Sequence, residues 1–347
     1  MNHIFYIHSN ILAICCYQTV QEVLAKKDKV IIITNRNCPW PFFQSLVTVY
    51  DFAEIFHGED RQRIALHNLR AIKDYIRYRK YRRHLNIIIN RIIAGEDFIL
   101  YLPSMALDMP MSFAYNKNCK GYYYVDEGSL AYLPQDLINQ QFAKSFKNDI
   151  KRLLNIEDHC HYEILPTFKG TISITKDAFQ WNDKWDKIVN SLDDCIIELK
   201  KDLPVFDDVI VTAKLVGDIG IIKKSIDFTV ANIIKNRPNS KIGIKLHPNA
   251  ITYNKDKTEE LINYIKDRYN DKITIISKDV PIEIMSLVYH PNLYSLLVVS
   301  SLILYGLLFR SSDGYLIKHN DMDSFTRVKI STTDEYYSLI SKVNLGK

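Results

Sequence analysis

Short apolar segments rich in Ile, Val, Tyr and Phe alternate along this chain with longer segments of helical period, and that alternation leaves few folds open. In the first half, strand character falls at residues 4–7, 30–34, 98–102 and 122–125. A helix over 11–25 follows the first strand, with Ile11, Leu12, Cys15, Val20, Val23 and Leu24 on one face. A long helix is expected over 61–93. Strands alternating with helices in this way form a mostly parallel sheet covered on both faces. A mixed-charge helix is expected over 182–201, and a second series then opens with strands at 209–212 and 241–246. It continues with a helix at 258–269, a strand at 273–276, a short helix at 282–288 and a strand at 296–299. The chain has 347 residues, enough for two domains of roughly 150 each. The break is expected between about 154 and 186, giving an α/β domain over 1–160 and a second over 161–347. No internal repeat occurs, and neither G-x-G-x-x-G nor G-x-x-x-x-G-K-[ST] is present, which counts against a nicotinamide dehydrogenase or a P-loop enzyme.

With 47% hydrophobic and 24% charged residues the chain is globular and not disordered. The first residues lack the basic start and apolar stretch of a signal peptide and read as a buried strand. The apolar run over 293–309 is broken by Tyr294, Ser295, Ser300, Ser301 and Tyr305 and falls short of the ~20 residues that a spanning helix needs. No transmembrane segment is expected. The six cysteines, at 15, 16, 38, 119, 160 and 195, form no framework and suit buried thiols in a reducing cytoplasm. His159-Cys160-His161 has no second ligand cluster at zinc-like spacing, so it reads as a surface strand and no metal is expected.

Chemistry concentrates at strand ends, where open α/β sheets place their ligands. Tyr124-Val125-Asp126-Glu127-Gly128-Ser129 ends one strand with two carboxylates, and Lys245-Leu246-His247-Pro248 ends another with two potential cations. A carboxylate can take a proton from an acceptor hydroxyl, while a histidine steadies a departing anion. Alone, acid-acid-Gly is also an ordinary turn. If its strand alternates, Lys245 and His247 project to one side, which suits a phosphate. A third element is Ser300-Ser301, at the start of an apolar helix, where backbone N–H groups and hydroxyls make either an anion site or a plain N-cap. Tyr289-His290-Pro291-Asn292 repeats the His-Pro-Asn triplet without a Lys two positions earlier, and His290 is read as a loop residue.

Acid-acid-Gly, then Lys-x-His-Pro, then Ser-Ser, in that order, resembles the bacterial CMP-sialic-acid-dependent sialyltransferases (the lipooligosaccharide, polysialic-acid and marine-type group). Val280-Pro281-Ile282-Glu283-Ile284 extends the likeness, at the position where that family holds the ribose hydroxyls of CMP. The marine-type members usually show Asp-Asp-Gly and the polysialyltransferases Glu-Asp-Gly, against Asp-Glu-Gly here. The resemblance implies a GT-B fold, two Rossmann-like domains facing across a cleft. It implies Asp126 as general base with Glu127 in support, and Lys245, His247, Glu283, Ser300 and Ser301 as CMP ligands. An unperturbed Asp, with a pKa near 3.9, is a weak base at neutral pH, and partial burial beside Glu127 would raise it. The implied reaction is inverting transfer of sialic acid from CMP-sialic acid to a terminal sugar, galactose being the first choice. The acceptor would belong to a bacterial surface glycan (O-antigen, lipooligosaccharide or capsule) built at the cytoplasmic face, with no metal or other cofactor. A CMP-Kdo-dependent transferase is the rival within this chemistry. A non-enzymatic basic-helix protein binding membrane or nucleic acid is the rival outside it.

Arg70, Lys73, Arg77, Arg79, Lys80, Arg82 and Arg83 crowd one helix with Tyr75, Tyr78 and Tyr81, although the whole chain carries only +5. The stretch over 70–83 is either a solvated face or a peripheral contact with anionic lipid headgroups at the inner membrane. Nucleic acid is the weaker option because no nucleic-acid motif accompanies it. Asp321-Met322-Asp323 is read as a surface turn and not a metal-nucleotide motif.

Overall fold

The computed structural model describes residues 1–34, 48–51, 70–105, 108–132, 134–135, 161–200, 203–212, 219–246, 255–269, 272–277, 280, 282–296, 314–318 and 321–328. The chain divides into two compact units, Met1–Cys195 and Ile196–Lys347.

The first unit is built on β1 (Asn2–Tyr6), β2 (Lys29–Thr34), β3 (Thr48–Asp51), β4 (Phe98–Leu102), β5 (Cys119–Val125), β6 (Phe168–Ser173) and β7 (Asp186–Val189). They form one seven-stranded sheet in the order β3-β2-β1-β4-β5-β6-β7, with every pairing parallel. Helices α1 (Asn10–Ala25), α2 (Arg70–Ile93) and α3 (Asp108–Ala114) lie in the crossovers. Ile4, Ile31, Ile32, Ile33, Leu100 and Leu102 are fully buried, as befits strands covered on both faces. α1 starts at an N-cap, with the Ser9 hydroxyl accepting from the Leu12 amide at 3.4 Å.

Register also aligns an aromatic row across the sheet. Phe5 pairs with Tyr101 and Tyr101 with Tyr123, and their rings stack at 4.1 and 5.5 Å with interplanar angles of 3° and 9°. The next position in the row is Gly170, on β6. A Cβ there would stand 2.1 Å from the Asp186 carbonyl oxygen, so only glycine lets β7 come alongside.

The second unit carries β8 (Asp208–Thr212), β9 (Ile242–Lys245), β10 (Ile273–Ile276), β11 (Asn292–Leu296), β12 (Gly314–Lys318) and β13 (Asp321–Val328). Their order is β10-β9-β8-β11-β12-β13, parallel except for β13 against β12. Counted within the unit this is 3-2-1-4-5-6, the doubly wound order. Helix α4 (Asp193–Leu199) bridges the two units in sequence; α5 (Ile219–Asn236), α6 (Lys255–Tyr269) and α7 (Ile282–Tyr289) belong to the second. Ile226, Val230, Ile233, Ile244, Leu261 and Ile265 form its apolar centre. At the amino end of its sheet Asp208 is fully buried. It accepts hydrogen bonds from Arg237 and Ser240, and from Asn292 at 3.0 Å. Arg237 also donates to the Tyr294 hydroxyl, 2.6 Å away.

Several sequence expectations are corrected. The helix over 182–201 is instead edge strand β7 followed by short α4, because Ile188 and Val189 pair with β6, a contact that local periodicity does not carry. The expected boundary at 160/161 lies inside the first unit, since β6 and β7 complete its sheet. The strand expected at 296–299 begins earlier, as β11; residues 297–299 lie outside the described ones. Asp321 and Asp323 open strand β13 and do not form a turn. Residues 61–69 of the expected long helix are outside the described ones, and α2 runs from Arg70. Among the described residues no helix is long and apolar enough to cross a membrane. Cys15, Cys16, Cys119 and Cys195 are buried, and burial pushes the Cys119 thiol up to about 11.

Candidate active site

In the first sheet the strand order reverses between β1 and β4, and ligands of open α/β sheets lie outside the carboxyl ends around such a point. β1 runs out there into Ile7 and His8, with the Ile7 amide still bonded to the Ile33 carbonyl at 2.8 Å. β5 runs out into Asp126, Glu127 and Gly128.

Asp126 is fully buried. Its amide donates to the Ile172 carbonyl at 2.9 Å, which extends the β5–β6 ladder by one residue. One carboxylate oxygen accepts the Gly128 amide at 2.9 Å, closing a tight turn over two residues. Gly128 takes φ +119, a conformation that side-chain-bearing residues rarely adopt. The other oxygen accepts the Tyr132 hydroxyl at 2.9 Å, from a 3₁₀ turn over Ser129–Tyr132. Burial pushes the Tyr132 phenol well above its usual range, and the Asp126 charge pushes it further, so it stays protonated and donates. The turn that the sequence admits as the plain reading of Asp-Glu-Gly is therefore what Asp126 builds.

Glu127 is less enclosed, its side chain 14% exposed, and it meets two imidazoles. Its Oε1 lies 2.8 Å from His161 Nε2, and its Oε2 lies 3.9 Å from His8 Nε2. The His161 ring is almost enclosed and the His8 ring nearly so. The sequence reading of 159–161 as a surface strand is corrected for His161, which sits in a buried turn; His159 and Cys160 lie outside the described residues.

His161 is brought to Glu127 by the aromatic end of β5. Tyr122 and Tyr124 project to one face, and both hydroxyls donate to the Glu163 carbonyl at 2.6 Å. The Tyr122 oxygen also accepts the Leu165 amide at 2.8 Å. Tyr162 packs edge-on against Tyr124 and Phe179, and the His161 carbonyl accepts the Met105 amide at 2.9 Å. The segment over 161–165 is thus held against β5 on several sides at once.

In the second unit, Lys245 at the end of β9 is buried. Its ammonium donates to the Ser277 and Val280 carbonyls at 2.5 and 2.9 Å, fixing the connection into α7. Glu283 stands in the first turn of α7. Burial raises its carboxyl above the usual range, and the positive charge of Lys245 opposes the rise. The structure therefore brings Lys245 and Glu283 together. His247, Ser300 and Ser301 lie outside the described residues. His290 is exposed just beyond α7, with φ +50 and its amide on the Ser286 carbonyl, as a helix-ending residue would be. Among the described residues no group of three or more His, Cys, Asp or Glu side chains is placed to hold a metal ion.

Sequence reasoning missed His8, Tyr132 and His161. His8 carried a usable signal, because it follows the first strand of the series, whose carboxyl end always flanks the reversal point. His161 and Tyr132 carried none, since their roles depend on packing.

No family model and no curated protein matches the chain. Among solved structures it is similar to a 2,6-sialyltransferase from Photobacterium in a ternary complex with CMP and lactose. The identity is 12%, over 100% of this chain and 77% of that one, with a TM-score of 0.51. It is also similar to a UDP-GlcNAc 2-epimerase from Methanocaldococcus jannaschii with UDP-GlcNAc and UDP (12% identity, 100% and 93% covered, TM-score 0.50). A protein from O. sativa in complex with UDP gives 9% identity, 100% and 92% covered, and a TM-score of 0.51. At such identities the likeness is one of fold, and the fold is of the GT-B, glycosyltransferase-like type.

Proposed function

We propose that the protein is an inverting glycosyltransferase that moves sialic acid from CMP-sialic acid to a terminal galactose of a bacterial surface glycan. The observation that carries the reading is the acidic turn over 126–128 at the carboxyl edge of a doubly wound sheet, flanked by two imidazoles. Proton removal from a hydroxyl needs such a carboxylate, and direct displacement with an oxocarbenium-like transition state needs no covalent intermediate. Lys245, His247, Glu283, Ser300 and Ser301 are assigned to the CMP moiety, on the order of motifs shared with the sialyltransferases. Lys245 contributes there by fixing the connection that presents Glu283. The Photobacterium likeness supports this choice, and the UDP-bound likenesses support the wider class of nucleotide-sugar chemistry. The basic stretch over 70–83 suits an anionic glycolipid acceptor or the headgroups around it at the cytoplasmic face.

The test is a donor screen over CMP-sialic acid, CMP-Kdo and UDP-sugars with a panel of galactosides, reading nucleotide release. Acceptor-dependent CMP release from CMP-sialic acid is expected. Turnover of UDP-sugars alone would sink the reading, and turnover of CMP-Kdo alone would move it to the rival donor.

A further inference from the structure

We propose that the outer face of α2, from Lys80 to Arg91, docks the protein on a bilayer surface rich in anionic phospholipid headgroups. The inference goes beyond the transfer reading and does not rest on it, since a charged face meets a bilayer whether or not a sugar is moved.

Helix geometry gives this part of α2 two opposed faces. At 3.6 residues per turn, Lys80, His84, Ile87 and Arg91 fall within a sector of about 60°, with Arg83 at its margin. All five are exposed. Leu85, Ile89, Ile92 and Ile93 lie on the other side and are buried, and α2 packs against α3. The apolar side of the helix is therefore already used inside the first unit, and what it turns outward is cationic.

That outward charge is left uncompensated. From Tyr75 to Ile93 the helix carries no acidic residue. Among the described residues, Lys80, Arg83 and Arg91 belong to no ion pair. A solvated helix face gains support from acids placed three or four residues from its bases, whereas like charges at that spacing repel. Lys80 and Arg83 stand three residues apart, and an anionic surface relieves their repulsion.

Ile87 selects the kind of surface. It sits in the middle of the cationic face and is 53% exposed. A single exposed isoleucine is ordinary by itself. Here Lys80 and Arg83 precede it on the same face and Arg91 follows it. Cations at the level of the headgroups with one apolar side chain pressed below them is the arrangement of a peripheral membrane contact. A nucleic-acid backbone would use the cations and gain little from Ile87, so lipid is the occupant that accounts for the whole face.

The test is co-sedimentation of the full chain with vesicles of phosphatidylcholine alone and of phosphatidylcholine mixed with phosphatidylglycerol, at low and high salt. Binding should require the anionic lipid and weaken as salt screens the charges. At about fivefold per cation, replacing Lys80, Arg83 and Arg91 together by Gln should lower partitioning on the order of 100-fold. Ile87→Ser should lower it several-fold and leave the salt dependence as it is. Replacing Lys224, Lys235 and Lys266 by Gln removes the same charge from exposed positions of the second unit and should change partitioning by less than about twofold if position and not net charge decides. Thermal melts should match wild type throughout, because every replaced side chain is exposed. Equal binding to both kinds of vesicle overturns the inference, as does an equal loss in the second-unit variant. Tighter binding to an oligonucleotide than to anionic vesicles, with Ile87→Ser behaving as wild type, overturns it in favour of nucleic acid. No donor is present in the assay, so a protein that binds vesicles and transfers nothing leaves the inference standing. One that transfers sialic acid in solution and ignores anionic vesicles overturns the inference alone.

Discussion

Asp126 and Asp208 are both completely buried aspartates, yet they stand at opposite ends of their sheets and do different work. Asp208 is the first residue of β8, at an amino end, where Arg237, Ser240 and Asn292 surround its carboxylate. A charge closed in by that many donors serves to anchor α5 to the sheet. Asp126 follows the carboxyl end of β5, and its donors are a backbone amide and a phenol. Its burial shapes a turn whose next side chain, Glu127, lies against His161 and His8. The same residue type in the same degree of burial is an anchor at one edge and the frame of an acidic turn at the other. The carboxyl edge differs because crossover helices leave it open, so a polar group placed there can meet a ligand.

The largest effect that tests this contrast is on stability. Asp208→Ala leaves Arg237 without its buried partner and should cost about 3 kcal/mol, the low end for breaking a buried pair because Arg237 is partly exposed. The loss would be read by urea denaturation, and turnover of the folded fraction should be normal. A selective loss of turnover would place Asp208 in a site and end the comparison. Tyr132→Phe should come next, removing one donor from a buried carboxylate at about 1.5–3 kcal/mol, with a drop in kcat because the acidic turn loosens. If the melt is unchanged, Asp126 does not depend on that phenol and the frame reading fails. The smallest effect belongs to His290→Gly, which relieves the φ +50 conformation and should add up to about 1 kcal/mol while leaving turnover alone. Loss of CMP release in that variant would make the second His-Pro-Asn triplet functional.

Much of the fold was legible because β-branched apolar runs announce parallel strands. β2, β4 and β10 fall within a residue of their expected bounds, and the acidic turn stood out at the end of β5. β7 was not legible: Asp186-Lys187-Ile188-Val189 reads as part of a charged helix until β6 is beside it. β11 begins four residues before its expected start, because Asn292-Leu293-Tyr294-Ser295 mixes polar and apolar residues and periodicity sets no boundary there. Of the candidate site, the carboxylates were visible and their different surroundings were not. These come from the Tyr132 hydroxyl on Asp126 and from an imidazole 34 residues away from Glu127, neither of which any local pattern ties to residues 126 and 127.

The shared hydrogen bond of Tyr122 and Tyr124 to the Glu163 carbonyl bears on amide exchange with solvent. A connection outside helix and sheet normally opens locally at little free-energy cost and exchanges its amide hydrogens fast. Here the Leu165 amide is bound to the Tyr122 oxygen, and two phenols hold the carbonyl two residues before it. Opening the segment must break all of these together and lift Tyr162 out of its aromatic surroundings. Leu165 should therefore keep its deuterium label nearly as long as the core of β5, and the imidazole bonded to Glu127 would be carried by one of the slowest-opening connections in the first unit.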